Sequence, residues 1–389
     1  MTKYVDKAGL TRLPNPKLPH LDIELTERCN NNCVHCYINQ PENKTAIRTR
    51  ELTTDQWKKI LDQAAKLGAL TVRFTGGEPL IRSDFADIYE YTRRLGIKVM
   101  LFTNARLVTP GLVKLFKKIP PGKKIEVSVY GLHPGSYDSV AQSKGSFFEF
   151  QEGIDRLLQN NIPFVVKSVY LPQNRAELGE FVDWTRKIPW MDGHQSFALQ
   201  LDLRTRRDSA WKNIKIRNLR LDPDEILTLL TREPEEYRQS MSQFASRFMY
   251  PQGDILFACE AGTTGCVDAY GNYQMCMLLR HPETVFDLTK GSLHEALSEF
   301  FPKVRLMRAT NPEYLRRCAR CFLKGLCEQC PGKSWTEHGT LDTPVEYLCQ
   351  VAHAQARFLG LLSENEMGWE VNGWRERVGS LRNRTSGSS

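Results

Sequence analysis

An α/β fold built on a parallel sheet is predicted by three features of this chain. Six short runs rich in Val, Ile, Leu and Phe recur between residues 20 and 203, and helical apolar patterns fill the intervals between them. Charged residues at 25% and hydrophobic residues at 41% are ordinary globular values, and 389 residues suffice for two or three domains with a substantial core. The chain has no apolar run of eighteen residues, and its N-terminus lacks an apolar signal core. It therefore reads as soluble and cytoplasmic, with no membrane partner.

Residues 1–19 are polar and punctuated by proline, and read as an arm over the fold. Leu21-Asp22-Ile23-Glu24-Leu25 alternates like a half-buried strand. Thr53 and Gln56 are spaced as a capping box, and Trp57, Ile60, Leu61 and Ala64 then fall on one helical face. Further strands are expected at 70–74, 97–102, 125–130, 164–170 and 197–203, separated by helices near 85–95, 112–118, 147–159 and 177–187. The α/β part thus spans 20–220. A charge-rich helical connector, 221–258, opens with Asp222-Pro223-Asp224-Glu225. A cysteine-rich domain occupies 259–355, and 356–389 completes a helix (352–362) before a polar tail expected to be disordered.

The chemistry begins where the first strand ends. Cys29, Cys33 and Cys36 lie within eight residues, spaced x3 then x2. Soft thiolates select zinc, copper(I) or iron–sulfur clusters. Three ligands leave one iron of a four-iron cluster open to an exchangeable ligand; a structural zinc site with His35 as fourth ligand is the plainer alternative. After the second strand comes Gly76-Gly77-Glu78-Pro79, in which two glycines allow a backbone to approach a ligand and Glu78 is suited to a charged amine. An ordinary strand-to-loop turn is the plain reading of that segment alone.

A CxxxCxxC loop after the first strand with GGEP after the second resembles the radical S-adenosylmethionine superfamily. The resemblance implies a partial (β/α)6 TIM-like barrel with its chemistry at the C-terminal strand ends. It implies a 4Fe–4S cluster on Cys29, Cys33 and Cys36, S-adenosylmethionine chelating the fourth iron, and the cofactor's amino group held by the strand carrying Gly76, Gly77, Glu78 and Pro79. His35 matches the family's position beside the adenine, Asn104 its frequent Thr-Asn position, and Ser128 a serine near the cofactor's carboxylate or ribose. The Ser128 strand continues Val129-Tyr130-Gly131 where many relatives have Leu-Asp-Gly, and no arginine follows in 136–146.

The other eight cysteines are Cys259, Cys266, Cys276, Cys318, Cys321, Cys327, Cys330 and Cys349. Five residues between the two CxxC pairs are too few for a zinc ribbon, which takes roughly 15–20. Eight thiolates suffice for two four-cysteine clusters. The pattern resembles the SPASM extension of radical S-adenosylmethionine enzymes, with x2 between Cys327 and Cys330 where the family usually has x3. By that resemblance Cys259, Cys266, Cys276 and Cys330 hold one auxiliary 4Fe–4S cluster, and Cys318, Cys321, Cys327 and Cys349 a second. Three clusters then use all eleven cysteines. No thiol is left to return a hydrogen atom, which argues against epimerisation.

Together these resemblances imply reductive cleavage of S-adenosylmethionine to a 5′-deoxyadenosyl radical that takes a hydrogen atom from a substrate carbon. SPASM enzymes act mostly on peptides, so the expected activity is oxidative modification of a ribosomally made precursor peptide, foremost a C–C, C–O or thioether cross-link. Formylglycine-forming sulfatase maturation is an alternative, although Met277 follows Cys276 where that branch has an aspartate. Dehydrogenation of a small molecule and non-catalytic electron carriage complete the set; an intact GGEP argues against the carrier. Candidate bases or radical-steering groups near strand ends are Tyr130, Lys167, Asp202 and Arg204. The expected partners are the precursor peptide, a flavodoxin or ferredoxin type reductant, and possible docking of a leader on a separate leader-binding protein. From 204 to 220 seven Lys or Arg face one acid, Asp208. That stretch reads as a solvated loop, or as a docking surface for an acidic peptide segment; no nucleic acid is expected.

Overall fold

The computed structural model describes residues 16–191, 197–198, 203, 205–206, 208–259 and 264–383. The chain divides into two compact units: 1–219 with 260–277 and 282–303, and 220–259 with 278–281 and 304–389.

The first unit is organised by a nine-stranded sheet. Its strands are β1 (His20–Thr26), β4 (Thr71–Gly76), β5 (Lys98–Thr103), β6 (Ile125–Val129), β7 (Phe164–Val169), β8 (Phe197–Ala198), β9 (Gly265–Val267), β10 (Asn272–Gln274) and β11 (Val285–Asp287). The order is β11-β10-β9-β1-β4-β5-β6-β7-β8; β1 and β4 to β8 run parallel in sequence order, β9 lies parallel to β1, and β10 and β11 complete an antiparallel edge. Parallel neighbours require crossovers, and here these are helical. They contain α1 (Thr54–Lys66), α2 (Phe85–Arg94), α3 (Pro110–Lys118), α4 (Pro134–Ala141), α5 (Ser146–Gln159) and α6 (Leu178–Thr185). This is a mixed α/β fold with a partial-barrel sheet, as the alternating pattern led one to expect. The Thr53–Gln56 capping box forms, and Trp57, Ile60, Leu61 and Ala64 are the buried face of α1.

Alternation along the strands gives the sheet two unlike faces. Leu21, Ile23, Leu25, Val72, Phe74, Val99, Leu101, Ile125, Val127 and Val129 are all fully buried. Most residues between them are polar or charged: Asp22 pairs with Arg73 at 3.0 Å, Arg73 lies 4.7 Å over the Phe102 ring, and Lys167 sits 5.6 Å over the same ring while pairing with Glu126.

Two expectations are revised. Residues 260–277 and 282–303, assigned from sequence to the C-terminal domain, belong to the first unit. The reason is backbone pairing: β9 extends the barrel sheet at Leu21↔Gly265, and Tyr273 is fully buried against Phe301, with ring centroids 4.9 Å apart. The strand expected at 197–203 is seen at Phe197–Ala198 and does not include Leu203, while residues 199–202 lie outside the described residues.

The second unit is helical. Asp222 caps α8 (Pro223–Leu230) by accepting from the Asp224 amide at 2.9 Å, and α9 (Pro234–Phe248) follows. With α10 (Pro331–His338), α11 (Glu346–Phe358) and α12 (Trp374–Asn383) come core residues Phe322, Leu323, Ala352, Ala356, Leu361 and Val378. The helix expected at 352–362 thus starts six residues earlier, carrying Cys349 in its first turn. No helix among the described residues is long and apolar enough to cross a membrane.

Candidate functional site

The loop leaving β1 carries the first three cysteines and is closed on itself. Its base is a two-residue parallel ladder of β2 (Arg28–Cys29) with β3 (Gln40–Pro41). Arg28 makes a two-pronged pair with Glu51 at 2.9 and 3.0 Å, and Thr26 also donates to Glu51. Arg82 donates to the Leu25 and Leu52 carbonyls and pairs with Asp84 at 2.7 Å. These buried charges neutralise one another and fix the exit angle of β1.

Within the loop, Asn32 and Val34 donate their amides to Ala141 and Val140 at the end of α4, and the Cys36 amide bonds the Cys33 carbonyl. Two amides point at sulfur: Asn31 N to Cys29 Sγ at 3.4 Å and Asn39 N to Cys36 Sγ at 3.3 Å. Burial pushes the Cys33 thiol up to about 12, reinforced by Cys36. The Cys29 thiol is also pushed well up, first by burial and then by Cys33 and Glu78. Three half-buried or buried soft donors that destabilise one another's anions form a set that a multi-iron cation would satisfy. Among the described residues, no group of three or more His, Cys, Asp or Glu is placed to hold a single metal ion.

The GGEP segment lies beside this loop. A Cβ on Gly76 or Gly77 would strike the Thr26 or Arg28 carbonyl oxygen, and Gly76 has φ +124°. The glycines let the end of β4 hydrogen-bond to the exit of β1, Gly77 N to Thr26 O at 2.7 Å and Glu78 N to Arg28 O at 2.9 Å. Here the close approach is made to the cysteine loop's own backbone. Glu78 is fully buried, accepting from the Leu80 amide at 3.0 Å, the Thr103 hydroxyl at 2.9 Å and the Asn104 amide at 2.8 Å. Burial raises its carboxyl to about 7 despite those donors. Such a carboxylate has donors but too little positive charge, and an ammonium group fits that need. Pro79 opens the one-turn 3-10 helix Pro79–Ile81 and is buried.

Asn104 donates Nδ2 to Asn30 Oδ1 at 2.8 Å, linking the GGEP side to the cysteine loop. Arg106 reaches the same loop at the Asn30 carbonyl, 2.6 Å, and at Asn31. His35 stacks obliquely on Tyr130, centroids 5.7 Å apart, and burial lowers its imidazole to about 4, so it is neutral at physiological pH. Ser128 is half-buried on β6, opposite Lys167 of β7. The candidate bases separate. Tyr130 bonds Cys33 and burial pushes its phenol well up, so it attends the cysteine loop. Lys167 is engaged with Glu126 and Phe102. Asp202 and Arg204 lie outside the described residues.

Two residues of the basic stretch went unrecognised in sequence. Arg206 is 4% exposed and donates to Asn39 Oδ1 at 2.9 Å, the Asn39 carbonyl at 3.2 Å and the Cys36 carbonyl at 3.3 Å. Lys212, on α7 (Ala210–Asn218), donates to Asn39 Oδ1 at 2.9 Å and Asn32 Oδ1 at 3.1 Å. A solvated loop does not describe them; both turn onto the cysteine loop. Nothing in their local sequence signals this, because the contact spans about 170 residues.

In the second unit Cys318, Cys321, Cys327 and Cys349 line one cavity with Tyr314, Arg317 and His353. Burial pushes Cys318 up to about 12 and Cys349 to about 11, with neighbouring thiols adding to both. Arg317 donates to Cys349 Sγ at 3.5 Å. Cys330 lies near Cys259 in the same unit, whereas Cys266 and Cys276 belong to the first.

Comparison with known proteins agrees with this architecture. The Radical SAM superfamily profile matches residues 23–185. The chain is 24% identical over 324 residues to an AdoMet-dependent heme synthase of Methanosarcina barkeri, covering 81% of this chain and 92% of that protein. It is 29% identical over 161 residues to a PqqA peptide cyclase of Bradyrhizobium diazoefficiens, 41% of each chain, so it spans less than half of that relative. The solved structure of Streptococcus suis SuiB bound to precursor peptide SuiA superposes with a TM-score of 0.60 at 18% identity, covering 86% of this chain and 76% of SuiB. With this profile laid over the cysteine loop, GGEP and the parallel sheet, the chain is an enzyme that carries a radical SAM domain over residues 23–185.

Proposed function

We propose that this enzyme is a peptide maturase that oxidatively modifies a ribosomally made precursor peptide, most directly by forming a cross-link. The observation that carries this reading is the second unit, where four cysteines converge on one cavity remote in sequence from the CxxxCxxC loop. Such a set suits an auxiliary iron–sulfur cluster with every iron ligated by protein, and hence electron transfer rather than substrate capture. In this proposal Cys29, Cys33 and Cys36 hold the catalytic 4Fe–4S cluster. Cys318, Cys321, Cys327 and Cys349 hold one auxiliary cluster; the sequence resemblance alone assigns Cys259, Cys266, Cys276 and Cys330 to another.

Bound S-adenosylmethionine supplies the hydrogen-abstracting chemistry. The chain's own residues do the rest. Glu78 and the Gly76–Gly77 backbone would hold the cofactor's amino group, His35 would offer a neutral ring to its adenine, and Asn104 and Ser128 lie at neighbouring strand ends. The polar sheet face of Asp22, Arg73, Phe102, Glu126 and Lys167 orients the target residue. A low-potential flavodoxin or ferredoxin type donor and a separate leader-binding protein are the partners this reading calls for. SuiB, similar in fold, is one neighbour solved with a bound peptide, its precursor SuiA.

Anaerobic incubation of the reduced, reconstituted enzyme with S-adenosylmethionine and candidate precursor peptides tests the proposal. Formation of 5′-deoxyadenosine together with a loss of two hydrogens from the peptide supports it; 5′-deoxyadenosine without any peptide product removes it. One observation favours a second reading: the heme synthase is matched over 92% of its length and the peptide cyclase over 41%. Oxidation of an iron porphyrin is therefore the rival assay, scored by heme formation.

A further inference from the structure

We propose that Arg206, Lys212 and Asn39 form a cationic clamp that positions the cysteine loop and raises the reduction potential of the cluster it holds. The inference rests on the reading of Cys29, Cys33 and Cys36 as ligands of a 4Fe–4S cluster, and it concerns residues that no motif of that reading includes.

Asn39 is the hub. It is buried, its amide points at Cys36 Sγ at 3.3 Å, and its Nδ2 donates to the Asn31 carbonyl at 3.3 Å and Asn32 Oδ1 at 3.1 Å. One side chain thus joins the segment between Cys29 and Cys33 to the segment after Cys36. The Oδ1 of Asn39 accepts from both Arg206 and Lys212 at 2.9 Å. Lys212 also holds Asn32, and Arg206 also holds the Cys36 carbonyl. Arg206 is fixed in turn by Asp208 and, through its backbone, by Asn213.

Charge decides what the clamp does beyond holding geometry. Arg206 and Lys212 bring two cations to a loop that Arg106 also reaches, at Asn30 and Asn31, and Asp208 is the carboxylate that pairs with Arg206. Asp208 opposes the buried Arg206 guanidinium, and the three thiolates of a ligated cluster would add negative charge on the side of the loop that Lys212 faces. Reduction adds one more negative charge to that cluster. Cations fixed nearby favour the reduced state, and hydrogen bonds to the sulfurs act in the same direction. The clamp therefore eases electron entry at a site that must accept electrons from a donor.

The test compares Lys212→Gln, Arg206→Gln and Lys212→Arg with the wild type, each reconstituted anaerobically. Lys215→Gln, on the exposed side of α7, is the control. The readouts are the midpoint potential of the electron paramagnetic resonance signal that changes on adding S-adenosylmethionine, and the rate of iron loss to a chelator. Lys212→Gln and Arg206→Gln are expected to lower the midpoint and speed iron loss about tenfold, the low end of the roughly 10–100-fold worth of second-shell partners. Lys212→Arg is expected to restore the potential, and Lys215→Gln to leave it unchanged. If Arg206→Gln does not fold, Lys212→Gln, at a half-buried position, still decides. An unchanged potential in a folded, iron-loaded Lys212→Gln overturns the clamp. A wild-type chain with no signal responsive to S-adenosylmethionine removes the cluster reading itself, a distinct failure.

Discussion

Gly77→Ala separates two reasons for the GGEP glycines. If they make room for a ligand, the substitution weakens cofactor binding and leaves the apo fold alone. The structure gives another cause: the new Cβ would lie 2.6 Å from the Glu27 carbonyl oxygen and closer still to that of Arg28. Both are backbone atoms of the β1 exit and cannot swing aside, so the two strands must part. Parting them breaks Gly77 N to Thr26 O and Glu78 N to Arg28 O, bonds of 2.7 and 2.9 Å. At roughly 0.5–1.5 kcal/mol each, the loss is about 2 kcal/mol. For a unit of this size, about 2 kcal/mol lowers the melting midpoint by roughly 4–8 °C. Gly76→Ala costs more, since φ +124° adds a strain of about 1–3 kcal/mol for a residue with a side chain. Gly111→Ala, whose Cβ meets nothing nearer than Thr109 Oγ1 at 3.7 Å, is the control and is expected to be neutral or slightly stabilising. The assay is thermal unfolding of the apo chain by circular dichroism, under argon with reductant. A Gly77→Ala protein that melts with the wild type yet fails to bind S-adenosylmethionine would refute the backbone account.

Further outcomes follow from the same geometry. Arg28→Met removes the two-pronged partner of the buried Glu51 carboxylate and leaves it Arg82 at 3.5 Å and the Thr26 hydroxyl, so it is expected to cost about 3 kcal/mol, the low end for breaking a buried pair, seen as a lower denaturant midpoint. Because burial holds the Glu78 carboxyl near 7 rather than 4.5, the folded apo chain keeps a proton that the unfolded chain releases. Its contribution to stability therefore falls as pH rises from 4.5 to 7 and levels off above. Binding of a cofactor ammonium should then release protons at pH 7 and none at pH 9, measured by calorimetry in buffers of different ionisation enthalpy. Tyr130→Phe keeps its ring packing against His35 and Tyr137 but loses the bond to Cys33, so it should leave the melting temperature nearly unchanged while altering the cluster spectrum.

Much of the barrel was legible because its signals are local. A Thr-x-x-Gln box, strand alternation and a cysteine spacing each act within about a dozen residues, and α1, β1 and the cysteine loop stand where those signals put them. What the sequence concealed depends on distant partners. Nothing near residue 265 says that it pairs with Leu21, so the extension of the sheet by β9 was invisible. Arg206 and Lys212 read as solvated charge because a basic run looks alike whether it faces water or a loop some 170 residues earlier. The roles of Gly76 and Gly77 were half seen: a close approach was inferred, and its partner proved to be the backbone of the cysteine loop.

Iron and sulfide per chain, after anaerobic purification and reconstitution, test the central claim most directly. About twelve irons are expected, falling to about eight when Cys29, Cys33 and Cys36 are replaced by Ala, with the remaining irons lost only when the C-terminal cysteines are replaced. About four irons in the wild type, with zinc in the C-terminal cysteines, would contradict the auxiliary clusters and with them the electron-relay basis of the proposed peptide chemistry.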